Sequence, residues 1–215
     1  MININSIIMN VLRNGLILSI IDGFTRQLEK KININIKKRL NEFGSGRMSV
    51  STKIVGHQCI SIGENFSSGA CFRLEAIEKF NGKNYSPKIV IKDNVEINEY
   101  VHIAAVNYVE IGNHVLMASK IYISDHNHGN YSGECQSSPD VPPIMREINS
   151  NMSVIIGDNV WIGEFVSILQ GVSVGKGSII GSNSVVNKDV PEYSIVVGAP
   201  ARVIKRYDFQ DCCWK

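Results

Sequence analysis

The chain has 215 residues, a net charge of +2, 44% hydrophobic and 20% charged side chains, a balance that excludes a disordered polymer and suits one large or two small globular domains. Ile and Val number 31 and 21 against 8 Leu, and beyond residue 50 only Leu74, Leu116 and Leu169 remain, so a helical bundle is excluded and the bulk is expected to be β. Residues 1–49 carry eight Lys/Arg against three Asp/Glu, a net of +5 that leaves −3 for the rest.

The basic N-terminal segment comes first. Within residues 6–29, Ile7, Ile8, Val11, Leu12, Leu16, Ile17, Ile20, Ile21, Phe24 and Leu28 recur at spacings of three and four. That spacing predicts an amphipathic helix, broken near Gly15 or Gly23. Such a helix packs on the body or on a neighbouring subunit, or it rests on a membrane surface. Ile32-Asn33-Ile34-Asn35-Ile36 then alternates as a short strand does. No stretch reaches the ~18 apolar residues of a membrane span. No small-residue cleavage site follows the first apolar run, so a cytoplasmic location is expected, without a nucleic-acid partner. Five Cys (59, 71, 135, 212, 213), with no Cys-x-x-Cys spacing, point to free thiols in a reducing compartment. The pair Cys212–Cys213 has no neighbouring base.

From residue 50 the chain repeats every six residues. The anchors Ile91, Ile97 and Ile103 lead to Ile111, Met117 and Ile123, and later to Ile156, Ile162, Ile168, Val174, Ile180 and Val186. A weaker coil surrounds Ile54, Ile60 and Ile62. A period of six fits no α-helix. It fits coils of three short flat strands joined by tight corners, each anchor pointing into a narrow prism and each following Gly or Asn making the turn. The rhythm fails between Ile123 and Val154, where a polar, Pro-containing excursion at about 124–153 is expected. A last coil closes the stack at 187–201. The expected organisation is an N-terminal helical, basic segment (1–49), a repeat domain (50–206) and a tail (207–215).

The text Ile156-Gly157-Asp158-Asn159-Val160-Trp161-Ile162-Gly163, with Lys188-Asp189-Val190-Pro191 and Gly198-Ala199-Pro200-Ala201-Arg202-Val203-Ile204-Lys205, resembles the hexapeptide-repeat acyltransferases. The ending resembles the maltose and galactoside O-acetyltransferase branch. Residues 97–106 and 123–129 look closer to the O-acetyltransferases of bacterial lipopolysaccharide and capsule assembly. The resemblance covers roughly residues 54–206. It implies a mainly β, single-stranded left-handed parallel β-helix assembled as a homotrimer with active sites between subunits. It further implies acetyl transfer from acetyl-CoA, without a metal, to a sugar hydroxyl of a bacterial surface polysaccharide (O-antigen or capsule), the saccharide acceptor being a finished polymer or a lipid-linked repeat unit.

A hydroxyl attacking a thioester needs a base near neutral pKa, and His is the natural one. Ungapped counting from the family's pattern places it at His128, with His126 two residues away as the alternative; Asp125 precedes the pair. Gly129 stands where many relatives have Pro. Asn98 aligns with an Asn that contacts the acceptor or the catalytic His, and a relative's acidic residue falls on Val106. Trp161 matches a position against the active site, where it walls the acceptor or pantetheine pocket or packs an interface. Gly163, Ser182, Asn187 and Lys188 match the CoA groove; Arg202 and Lys205 match basic positions near its phosphates. Competing readings are a small acceptor such as a free sugar, serine or an antibiotic, a zinc carbonic anhydrase using His102, His126 and His128, and a non-catalytic scaffold.

Overall fold

In the computed structural model, which describes residues 4–149 and 151–215, the six-residue rhythm becomes a three-faced parallel coil. The first face stacks Glu42–Phe43, Ile60–Ile62, Lys88–Ile91, Tyr108–Ile111, Ser153–Ile156 and Ser173–Val174. The second stacks Gly46–Arg47, Phe66–Ser68, Glu96–Ile97, Leu116–Met117, Trp161–Ile162, Ile179–Ile180 and Ser194–Val197. The third stacks Lys53–Val55, Arg73–Ala76, His102–Ala105, Tyr122–Ser124, Ser167–Ile168 and Val185–Val186. This is the left-handed parallel β-helix.

All twelve anchors are at most 2% exposed, and Val154, Val160, Val166 and Val172, each two places before an anchor, are buried equally. Alternate side chains of a strand share a face, so each short strand sends two residues inward. Where Ser178 and Ser184 replace the aliphatic, their hydroxyls donate to the Pro191 and Gly181 carbonyls at 2.8 and 2.6 Å and accept the Ser194 and Gly198 N–H groups. Both buried hydroxyls are thus satisfied.

The corners differ from expectation in one respect. The left-handed turn lies three residues past the anchor, where Asn94, His114, Lys120, Asn159, Phe165 and Asn183 hold φ between 57 and 61°. Glycine directly after the anchor serves close stacking instead. A Cβ on Gly157 would stand 2.7 Å from the Lys176 nitrogen, and one on Gly163 2.7 Å from the Ser182 nitrogen.

The N-terminal helix α1 spans Ile4–Arg39 and kinks at Gly15 (φ 77°, ψ 162°). The side chains of Ile7, Ile8, Val11, Leu12, Leu16 and Ile17 lie outside the described residues. The short strand expected at 32–36 is helical. Five alternating residues also satisfy an i, i+4 pattern, and Ile36 is buried and Ile32 half-buried while Ile34 faces out. Asn33 ties this turn down by accepting the Met48 N–H at 2.7 Å. Stacking begins at Glu42, eight residues before the expected boundary at 50. Beyond the last coil, Arg202–Asp208 runs antiparallel on Ser194–Val197 and pairs with Cys213–Trp214, so the tail is a folded hairpin.

Two excursions interrupt the stack, both at the corner where the third face turns into the first. The second, 125–152, was expected. It pairs Asn127–His128 with Ile148–Asn149. The first, 77–87, is a hairpin of Lys79–Phe80 and Lys83–Asn84. Its turn residues Asn81 and Gly82 both have positive φ, as a two-residue hairpin loop requires. The two arms meet. Asn81 Nδ2 donates to the Ile144 carbonyl at 2.5 Å, Lys83 Nζ lies 3.2 Å from Glu147 Oε2, and the Phe80 ring meets His128 edge-on at 5.1 Å.

Candidate active site

Between the arms the same corner is crossed tightly by Val106 and Asn107, and their N–H groups converge on one carboxylate. Asp125 is fully buried. Its oxygens accept the Val106 N–H at 3.0 and 3.2 Å and the Asn107 N–H at 2.8 Å. The remaining acceptor capacity goes to His126, whose Nδ1 is 2.8 Å from Asp125 Oδ1. Ser124 Oγ, 3.2 Å from the same nitrogen, also bridges to the His126 main chain. A carboxylate is acceptor-only, so Nδ1 carries the proton of the neutral ring and Nε2 holds the lone pair. Nε2 has no hydrogen-bond partner among the described residues.

His128 is placed differently. It is exposed, it sits on the hairpin opposite Ile148, and its ring meets Phe80. Its carbonyl accepts Tyr131 Oη at 2.5 Å, and Arg146 Nη1 donates to that phenol at 2.7 Å. Gly129 has φ 110°, a value closed to proline.

His102 lies on the strand beside Tyr122–Ser124. Its Nε2 is 3.0 Å from Glu75 Oε2, and its ring packs on Tyr122. Burial lowers its pKa, the Arg73 charge adds to that, and Glu75 opposes it. Burial tends to raise Glu75, but hydrogen bonds from Lys53, Arg73 and His102 outweigh it and bring the carboxyl down to about 2. His102 and His126 are therefore each tied to a carboxylate.

The other residues singled out from the sequence fall on two separate edges of the prism. Asn98, Gly163 and Ser182 share the corner between second and third faces, next to the exposed Trp161. His126, Asn187 and Lys188 share the corner between third and first faces. One chain alone does not bring Asn98 to His126. Lys188 and Arg202 both line a 250 Å³ cleft with Asp189 and Val203; Lys205 pairs with Ile195 on the same hairpin. A second cleft of 470 Å³ opens between the two arms, lined by Lys83, Asn130, Gln136, Ser137 and Glu147. Sequence reasoning missed Phe80 and Lys83. The Asn81-Gly82 hairpin signal, standing where the repeat lapses after Ile62, marks them.

Residues 153–188 match the family profile described as bacterial transferase hexapeptide (six repeats). The chain is 43% identical over 157 residues, 73% of its own length and 76% of the relative's, to a protein of Escherichia coli (strain K12) named for lipopolysaccharide biosynthesis O-acetyl transfer, WbbJ. It is 40% identical over 122 residues, 56% of its length and 36% of the relative's, to Rv3034c of Mycobacterium tuberculosis, named as an acetyltransferase. Among solved structures, the N-acyltransferase AntD of Bacillus cereus aligns at 23% identity with a TM-score of 0.54, over 81% of this chain and 88% of that one. A galactoside acetyltransferase in complex with coenzyme A aligns at 24% identity with a TM-score of 0.51, over 85% and 72%. At such identities the two structures speak for the fold.

Proposed function

The chain belongs to the bacterial hexapeptide-repeat transferase family, and on that premise we propose that it moves an acetyl group from acetyl-CoA to a saccharide hydroxyl during assembly of a surface polysaccharide. The observation that carries this reading is the buried Asp125–His126 pair, with no partner on Nε2 among the described residues. It favours His126 over His128 as the base. His126 Nε2 takes the proton of the acceptor hydroxyl as that oxygen forms its bond to the thioester carbonyl carbon. The C–S bond then breaks, and the same nitrogen returns the proton to the departing thiolate. No covalent enzyme intermediate forms, so the five free cysteines stand aside.

Lys188 and Arg202 suit the phosphates of acetyl-CoA, since both residues line one cleft. The arm cleft suits a saccharide, because amide, hydroxyl and charged groups line it and its hairpin carries on from His126. The distribution of site residues over two edges favours a homotrimer in which the Asn98, Trp161, Gly163 and Ser182 edge of one copy faces the His126 edge of the next. In this reading the β-helix, which begins at Glu42, carries catalysis, and helix α1 and the tail 207–215 are appended to it. The acceptor is a polymer or a lipid-linked repeat unit.

The test is thiol release from acetyl-CoA in the presence of the producing strain's own surface polysaccharide, stripped of acetyl groups by mild alkali. His126→Ala should abolish transfer while calorimetry still records coenzyme A binding; His128→Ala should retain much of the rate. Full activity of His126→Ala overturns the assignment of the base.

A further inference from the structure

Helix α1 outlasts its attachment to the β-helix. Its final turns are anchored through Asn33, Ile36 and Leu40. From Leu18 to Leu28 the described side chains are exposed or half-exposed. On a 3.6-residue helix Ile20, Ile21, Phe24 and Leu28 occupy an arc of about 100°, which continues in i, i+4 steps through the half-buried Ile32 to the anchored Ile36 and Leu40 but here runs on past the β-helix with nothing to cover it among the described residues. Their exposures are 63, 54, 70 and 39%, high for four large apolar side chains on one face. Scattered apolar residues on a surface need no explanation, but a contiguous stripe does.

Charge says what covers the stripe. Residues 18–39 hold six basic side chains (Arg26, Lys30, Lys31, Lys37, Lys38 and Arg39) against Asp22 and Glu29, a net of +4. None of the six forms an ion pair among the described residues. A bundle of such helices from several copies would bring like charges together around its own apolar seam. An anionic surface accepts both features at once, the rings and aliphatics entering the headgroup boundary while the lysine stems reach back to lipid phosphates. No described helix is long and apolar enough to cross a membrane. The mode that remains is lying in the interface plane.

We propose that residues 18–39 form an interfacial anchor for an anionic phospholipid bilayer, holding the β-helix against the membrane surface. Lipid binding needs no acetyl transfer, so the anchor stands or falls separately from the catalytic reading. A lipid-linked acceptor gives it a purpose.

The experiment is co-sedimentation of the full-length protein with vesicles of phosphatidylcholine alone and of phosphatidylcholine with a third of phosphatidylglycerol. Binding is expected only to the anionic vesicles and should weaken with added salt. The double variants Phe24→Asp/Leu28→Asp and Lys30→Glu/Lys31→Glu should each reduce the bound fraction by about tenfold. Their thermal unfolding, mass by light scattering and coenzyme A affinity should match the parent. Absence of binding to anionic vesicles overturns the proposal. So does a smaller assembly for Phe24→Asp/Leu28→Asp, which would make the stripe a contact between copies. Equal binding to neutral and anionic vesicles overturns the charge argument and with it the lipid class.

Discussion

Replacing Asp125 by Asn probes the reasoning at its narrowest point. The carboxylate is fully buried and accepts from Val106, Asn107 and His126. Hydrogen bonds to a charged group contribute about 1.5–3 kcal/mol each. An amide oxygen can keep the two backbone donors at the lower, neutral strength, so the loss of stability should be about 2–4 kcal/mol. In a chain of this size that is a fall in Tm of roughly 5–15 °C. The larger effect is chemical. With the amide oxygen on the backbone N–H groups, the NH2 group faces His126 Nδ1 and forces the proton onto Nε2. The lone pair then points inward and the base is lost. A carboxylate-oriented histidine put in the wrong tautomer loses about 10⁴ in turnover. Differential scanning fluorimetry and thiol release measure the two effects on one preparation. A Asp125→Asn protein that melts like the parent and turns over at a comparable rate refutes both the hydrogen-bond account and the role of His126.

Three more outcomes follow from the geometry. Glu75 has a folded-state carboxyl near 2, below its ordinary 4.5. A depressed pKa gives stability that is present above the unfolded value and lost as pH falls from about 4.5 toward 2. Because Lys53 and Arg73 are half or more exposed, screening limits the gain to about 1–2 kcal/mol; acid titration of Glu75→Gln should show it missing at pH 7 and its difference from the parent vanishing in acid. Gly163→Ala sets a Cβ 2.7 Å from the next coil's backbone nitrogen and should cost about 1–3 kcal/mol in thermal unfolding, whereas Gly82→Ala, with nothing within 4 Å but φ 78°, should cost about 1 kcal/mol. Lys188→Ala and Arg202→Ala should each raise KM for acetyl-CoA about tenfold, more weakly in high salt, with kcat little changed; an unaltered KM removes them from the nucleotide site.

The β-helix was legible because its signal is redundant. Twelve anchors repeat one steric demand, and no single departure, such as Met117, disturbs the register. The local misreadings share a cause, which is that short patterns fit more than one geometry. Ile32–Ile36 alternates like a strand yet continues a helix once Ile32 and Ile36 find the same core. Glycine after the anchor looks like a turn residue, but only stacked coils reveal that it makes room for a neighbour's backbone. The two histidines differ in a way that ungapped counting does not capture, because counting ignores where a strand ends. The polypeptide leaves the third face at Ser124, and that places Asp125 under the Val106–Asn107 corner and His126 beside it. Contacts between the 77–87 and 125–152 arms join residues 48 to 64 positions apart, beyond the reach of any local pattern.

The proposed site pairs His126 of one copy with the Asn98 edge of another. Mixing tests it directly. His126→Ala and Asn98→Ala proteins, each inactive alone, are unfolded together, refolded as mixed assemblies and assayed for acetyl transfer. If the two residues come from different copies of a trimer, roughly a quarter of the sites regain both, and a corresponding part of the activity returns. Mixed assemblies that stay as inactive as their parents contradict a site shared in this way.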